Sequence, residues 1–153
     1  QCAHLTEKEI IVIPSKTVPQ GITAMMNADF ECGDPQEMAQ AMTASLATVS
    51  TAQITYAARD SDFDGFAIHQ GDYLALRDGK LFGTDPDENA LLRALAESAA
   101  QSDPSFLSLY YGEDVTEEQA AEASAIFQAA CPNAELSVLS GGQPVYYYII
   151  SVE

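Results

Sequence analysis

SGGQPVYYYIISVE, residues 140–153, carries a Gly-Gly-Gln-Pro turn straight into an aromatic and β-branched run. Glycine opens backbone angles closed to other residues, while proline fixes its own angle and donates no hydrogen bond. A turn of this make-up before VYYYIISV predicts a shaped loop feeding a strand. Tyr146, Tyr147 and Tyr148 would alternate faces there, leaving at least one exposed and the rest in a core strand. Exposed tyrosine beside an ordered Gly/Pro loop suits a protein-binding patch. An early counterpart, IVIPSKTVPQG at 11–21, also sends an apolar, strand-like run into a Pro- and Gly-marked turn.

Outward from these two segments, hydrophobic periodicity supplies the remaining elements. EIIVIP (9–14) has strand length, and 19–27 reads as a short helix with Pro19 in its first turn. Met38, Met42, Leu46 and Val49 form one helical stripe over 35–50, with Asp34 as N-cap and Pro35 at the first position. From Gln53 the period changes. QITYAAR reads as a strand, DSDFDG (60–65) as a turn, FAIH as a short strand and QGD as a second turn. YLALRDGKLFG is a hairpin about Asp78-Gly79. A helix over 86–101 follows, capped by Asp85, with Leu91, Leu92 and Leu95 inward. SFLSLYYG is a strand, and Thr116 with Glu118 and Gln119 opens a second helix in capping-box style. ELSVLS and VYYYIISV are the last strands. The order β-β-β-β-α-β-α-β-β predicts an α+β, two-layer domain, a mixed and largely antiparallel sheet with helices packed on one face. Residues 1–33 hold too little to bury a core alone and read as the end of a preceding α/β lobe, with 34–153 as the second lobe.

The 153 residues carry 23 acidic and 6 basic side chains, a formal charge of −17. Such a surface repels nucleic-acid backbones and anionic headgroups and accommodates a basic partner, or simply keeps the protein soluble. No run approaches the ~20 apolar residues of a membrane-spanning helix, and no secretion signal is visible from Gln1; the missing initiator Met suggests a fragment. Cys2, Cys32 and Cys131 are odd in number and unpaired by spacing, which favours a reducing cytoplasm.

Chemical motifs are sparse. DSDFDG matches half of a calcium loop, but Gly71 stands where a bidentate Glu is needed, so a solvated turn is the better reading. His4 and His69 lie far from any partner ligand. Cys131 sits at a helix C-terminus, where the dipole raises a thiol pKa. No phosphate-binding glycine loop or nucleophile elbow is present, so no catalytic, cofactor-binding or metal-ligating residue is assigned. Ser15, Lys16 and Thr17, with Gln20 and Gly21, follow a strand and approach a helix N-terminus; they could hold an anion or form a solvated connection. Arg59 and Asp60 could form a structural ion pair or contact a partner.

Taken together, IPSKTVPQG, TYAARD, DG-x-x-I-x-x-GD (64–72), YGEDVTEEQA (111–120) and GGQPVYYYIISVE resemble the C-terminal region of the kinase subunit of bacterial fatty-acid kinase, a dihydroxyacetone-kinase-like family. The resemblance implies a DegV-like second lobe. It implies a non-catalytic module that docks the DegV-type subunit presenting a fatty acid for phosphorylation to acyl phosphate. ATP and magnesium would belong to a kinase domain outside this sequence. Partner contacts would fall on Ser15, Lys16, Thr17, Gln20 and Gly21, on Arg59 and Asp60, and on Gly141, Gly142, Gln143, Pro144 and Tyr146. A cytoplasmic protein follows, without nucleic-acid binding or membrane insertion, and a homodimer is compatible. Two departures stand out. Tyr147 replaces a common Pro, and Gly141–Pro144 occupies the place of the Thr-His-x-Gly-type stretch with which DegV-type proteins hold a carboxylate. Lacking that His, the lobe is expected not to bind fatty acid itself. The runner-up is a lobe that holds a lipid carboxylate or phosphate between sheet and helices, with a deep apolar pocket beside Lys16.

Overall fold

The computed structural model describes residues 6–63 and 66–153. Cys2 and His4 lie outside them, as do Asp64 and Gly65 of the calcium-like loop and the 64–72 motif. The chain forms two compact units, Gln1–Val49 and Ser50–Glu153. The helix over 35–45, expected from the sequence in the second lobe, groups with the first unit.

In the first unit, α1 spans Val18–Met26 and α2 spans Pro35–Ser45, extended by a 3-10 turn at Leu46–Thr48. The Thr17 side chain caps α1 by accepting from Gln20 N, and Asp34 caps α2 by accepting from Gln36 N at 2.9 Å. Each aligns a free N–H with a side-chain oxygen and has a proline in the first turn. The Met38, Met42, Leu46, Val49 stripe turns inward, with Val49 buried. The expected strand at 9–14 does not form. A strand exists only through pairing with a neighbour, and the loop hydrogen bond here runs from Ser15 N to Ile13 O, local to the segment.

The second unit holds a six-stranded sheet ordered β5-β4-β1-β8-β6-β7. The strands are β1 Ser50–Tyr56, β4 Tyr73–Arg77, β5 Lys80–Asp85, β6 Phe106–Tyr111, β7 Glu135–Ser140 and β8 Tyr148–Val152. Only β6 and β7 run parallel, joined by a crossover helix. A separate hairpin pairs β2 Ser61–Phe63 with β3 Phe66–Ile68, so part of the expected 60–65 turn is strand. Helices α3 (Glu88–Ala100) and α4 (Glu117–Ala130) cover one sheet face. This is a mixed, mostly antiparallel α+β architecture of DegV type.

Strand alternation divides the two faces. Ile54, Leu107, Leu109, Tyr148 and Ile150 point to the helices and meet Leu92, Leu95, Ala123 and Phe127. Thr51 and Ser151 lie at the sheet centre on the other face. The Asp78-Gly79 hairpin turn forms as expected, both residues at positive φ (50 and 78°), and the Asp78 carboxylate accepts from Ser50 Oγ and Thr51 N. The α3 cap is Asp87, not Asp85; Asp85 ends β5 and accepts from Asp87 N instead. At α4 the Thr116–Gln119 capping box is complete. No helix among the described residues is long and apolar enough to cross a membrane.

Candidate functional site

Register brings one end of the second unit's sheet together. Tyr56 pairs with Tyr73, Tyr73 with Asp85, Ile54 with Tyr148, and Tyr111 with both Tyr148 and Ser140. The C-terminal ends of β1, β5, β6 and β7, the starts of β4 and β8, and the N-termini of α3 and α4 therefore share that end. Loop 141–147 closes it.

The loop is held almost throughout by its own bonds. Gly141 N and Gly142 N donate to Tyr111 O at 2.9 and 3.3 Å, Gly112 N donates to Tyr147 O at 2.9 Å, and Glu113 N donates to Gln143 O at 3.2 Å. Gln143 Nε2 donates to Tyr110 O at 3.1 Å and to Tyr146 O at 3.3 Å. On the β1 side, Thr55 Oγ1 donates to Val145 O and Tyr147 N to Ile54 O, both at 2.9 Å. A Cβ on Gly112 would stand 2.3 Å from Tyr146 O and 2.7 Å from Gln143 O, so only glycine lets the loop approach β6 this closely.

Val145, at the tip, has φ 71° and is 55% exposed. A β-branched residue in the left-handed region is strained, by about 1–3 kcal/mol, and persists only where its surroundings enforce it. Beside it the Tyr147 ring makes edge contacts with Tyr56 (6.1 Å) and Tyr73 (5.5 Å), and Tyr56 remains 44% exposed.

This end is acidic. Asp85, Asp87, Glu88, Glu113, Asp114, Glu117 and Glu118 cluster about the helix starts, and Arg59 is the one cation there among the described residues. Burial, then the charge of Asp87, raises the Glu88 carboxyl above its ordinary value, and its Oε1 is buried without a hydrogen-bond partner. Burial, then Glu88 and Glu122, raises the Tyr148 phenol. These groups stay protonated more readily than in water and hold no arrangement of nucleophile and base. Among the described residues, no group of three or more His, Cys, Asp or Glu is placed to hold a metal ion.

The sequence candidates divide between the units. Ser15, Lys16, Thr17, Gln20 and Gly21 lie in the first, where Lys16 N donates to Gln20 Oε1 at 3.0 Å and Thr17 caps α1. Their polar groups thus shape the start of a helix. Arg59 and Asp60 follow β1 in the second unit; Asp60 accepts from Gln70 N at 2.7 Å, and no ion pair joins it to Arg59 among the described residues. Gly141, Gly142, Gln143, Pro144 and Tyr146 form the loop just described. Cys131 is buried, and burial, with Asp103, raises its thiol. Sequence reasoning missed Tyr56, Tyr73, Val145 and Gly112. The two tyrosines had a signal, since each stands in an expected strand, but only register brings them together.

A solved structure of a DegV family protein from Corynebacterium glutamicum has the same fold, with a TM-score of 0.65 at 16% identity, covering 98% of this chain and 66% of that one. The Streptococcus pneumoniae fatty acid kinase B3 protein loaded with linoleic acid gives 0.52 at 10% identity, covering 77% and 49%. Protein YloV of Bacillus subtilis is 30% identical over 157 residues, and an uncharacterized Staphylococcus aureus protein is 32% identical over 155. Each match takes in 100% of this chain, which spans only 28% of those relatives' length. The FakA-like C-terminal family model, which describes the C-terminal part of the A-like subunit of fatty acid kinase, matches residues 1–153. The chain belongs to that family.

Proposed function

We propose that the chain is the docking module of a fatty-acid kinase and that the 141–147 end of its second unit receives a DegV-type, fatty-acid-binding subunit. The module itself transfers no phosphoryl group. ATP and magnesium act in a separate kinase domain of the longer, cytoplasmic protein. The construction of the loop carries this reading: a ring of internal hydrogen bonds holds a strained, exposed Val145 beside exposed Tyr56. Interfaces favour aromatic anchors on pre-organised backbone, because little freedom is then lost on binding. Loop residues Gly141–Pro144 shape the surface, Val145 and Tyr146 meet the partner, and Arg59 and Asp60 border it. Ser15, Lys16, Thr17, Gln20 and Gly21 supply further contacts from the first unit.

The test is affinity for the DegV-type subunit. Val145→Asp and Tyr56→Ala should each weaken binding by about tenfold or more, the effect of losing ~1.4 kcal/mol. Unchanged affinity for both variants would reject the site.

A lipid-holding lobe is less well supported. The layer between sheet and helices is filled by Tyr148, Phe127, Leu92 and their neighbours. In the first unit an apolar groove of about 310 Å³ runs along Ile11, Ile13, Met38 and Met42, but its charged lining residue is Glu9. A carboxylate there repels a lipid carboxylate or phosphate.

A further inference from the structure

The first unit leaves apolar surface open on two consecutive elements. Along 10–13 the side chains alternate: Ile11 and Ile13 are half-buried and line the groove against α2, while Ile10 and Val12 face solvent, Val12 at 79% exposure. Helix α1 behaves likewise. Pro19, Thr23 and Ala24 are buried, and Val18, Ile22, Met25 and Met26, at spacings of four, three and one, form an exposed stripe. An extended run apolar on both faces is the pattern of a strand inside a parallel sheet covered on both sides. A helix apolar around most of its circumference is one meant to be buried. Here each has one side covered and one bare.

We infer that these two bare faces receive the part of the longer protein N-terminal to residue 1, folded so that its strands pair with residues 10–13 and its apolar side chains cover α1. Chain length identifies the occupant. The family is a C-terminal one, and this sequence accounts for 28% of relatives such as YloV, so most of each relative lies outside it. The DegV-type neighbour that covers 98% of this chain is itself matched over only 66%, leaving a third of that fold without a counterpart here. Residues 10–13 followed by α1 are a strand–loop–helix unit, half of the crossover from which parallel sheets are built. The missing half is a parallel neighbour strand. Pairing it satisfies the backbone groups of 10–13 and converts a run that is not a strand in this chain into one.

Hydrogen–deuterium exchange on the full-length protein tests this. The amides of Ile11, Val12 and Ile13 should exchange roughly 100-fold or more slower than an unstructured peptide, as ladder amides do. Val12→Asp and Met25→Asp should each lower the full-length Tm by about 5 °C or more, since each buries an unpaired charge. Open amides together with unchanged Tm in both variants would overturn the inference. Protection that appears only as the protein self-associates, or only on adding the DegV-type subunit, would overturn it too, giving the faces to a second copy or to the partner. The docking site proposed above lies in the other unit, so either idea can fail alone.

Discussion

Val145 concentrates the cost of the proposed surface in one residue. Its φ of 71° is set by the bond from Thr55 Oγ1 to its carbonyl and by the closed turn that follows. Glycine accepts that angle freely, so Val145→Gly should leave stability unchanged or raise it by about 1 kcal/mol, measured by urea unfolding. Gly112 is the opposite case. An alanine Cβ there collides with two backbone carbonyls, and Gly112→Ala should cost about 1–3 kcal/mol, as overpacking does. Glu88 adds a pH signature. Its carboxyl is raised in the folded state, so the fold binds the proton more tightly than the unfolded chain. The associated stability is fully present below the ordinary carboxylate value of 4.5 and is lost as pH rises through the raised value. Glu88→Gln should therefore raise Tm at pH 7, with the gain vanishing near pH ~4. A gain that grew on acidification would contradict the burial of this carboxyl.

The elements differ in how openly the sequence declares them. Helices α1, α2 and α4 carry their own start signals in Thr17, Asp34 and the Thr116–Gln119 box, and each begins where its cap stands. Thr116→Ala should cost α4 about 1 kcal/mol in thermal unfolding. The Asp78-Gly79 turn was equally legible, because both central residues need positive φ and Asp-Gly provides it. Two carboxylates two apart before α3 could not be ranked, since either can cap; β5 runs on to Asp85 and leaves Asp87 to do it. Ser61–Phe63 was hidden because Asp-rich segments usually turn, and its pairing with β3 is a tertiary choice. EIIVIP has a strand's composition but no strand partner among the described residues, and composition cannot reveal that. The candidate site was legible as far as its loop, from the glycines and proline of 141–144. Tyr56, Tyr73 and Val145 were not, because they meet through register across three strands and through a backbone angle.

At the scale of the whole molecule, the second unit owns its core and the first does not. The sheet with α3 and α4 encloses Tyr148, Phe127, Ile54 and Leu92, whereas α1 leaves Met25 and Met26 more than two-thirds exposed. A module of this kind suits a surface presented by a stable unit and tethered through an open-faced one to the rest of a longer chain. Membership of the FakA-like C-terminal family supplies the setting of a fatty acid kinase, and the strained loop supplies the proposed contact. The most direct test is the dissociation constant between the full-length protein and the DegV-type fatty-acid-binding subunit, for wild type and Val145→Gly, with unfolding followed in parallel. The account predicts binding weakened by about tenfold or more while stability holds or rises. Equal affinity in the two proteins would contradict it.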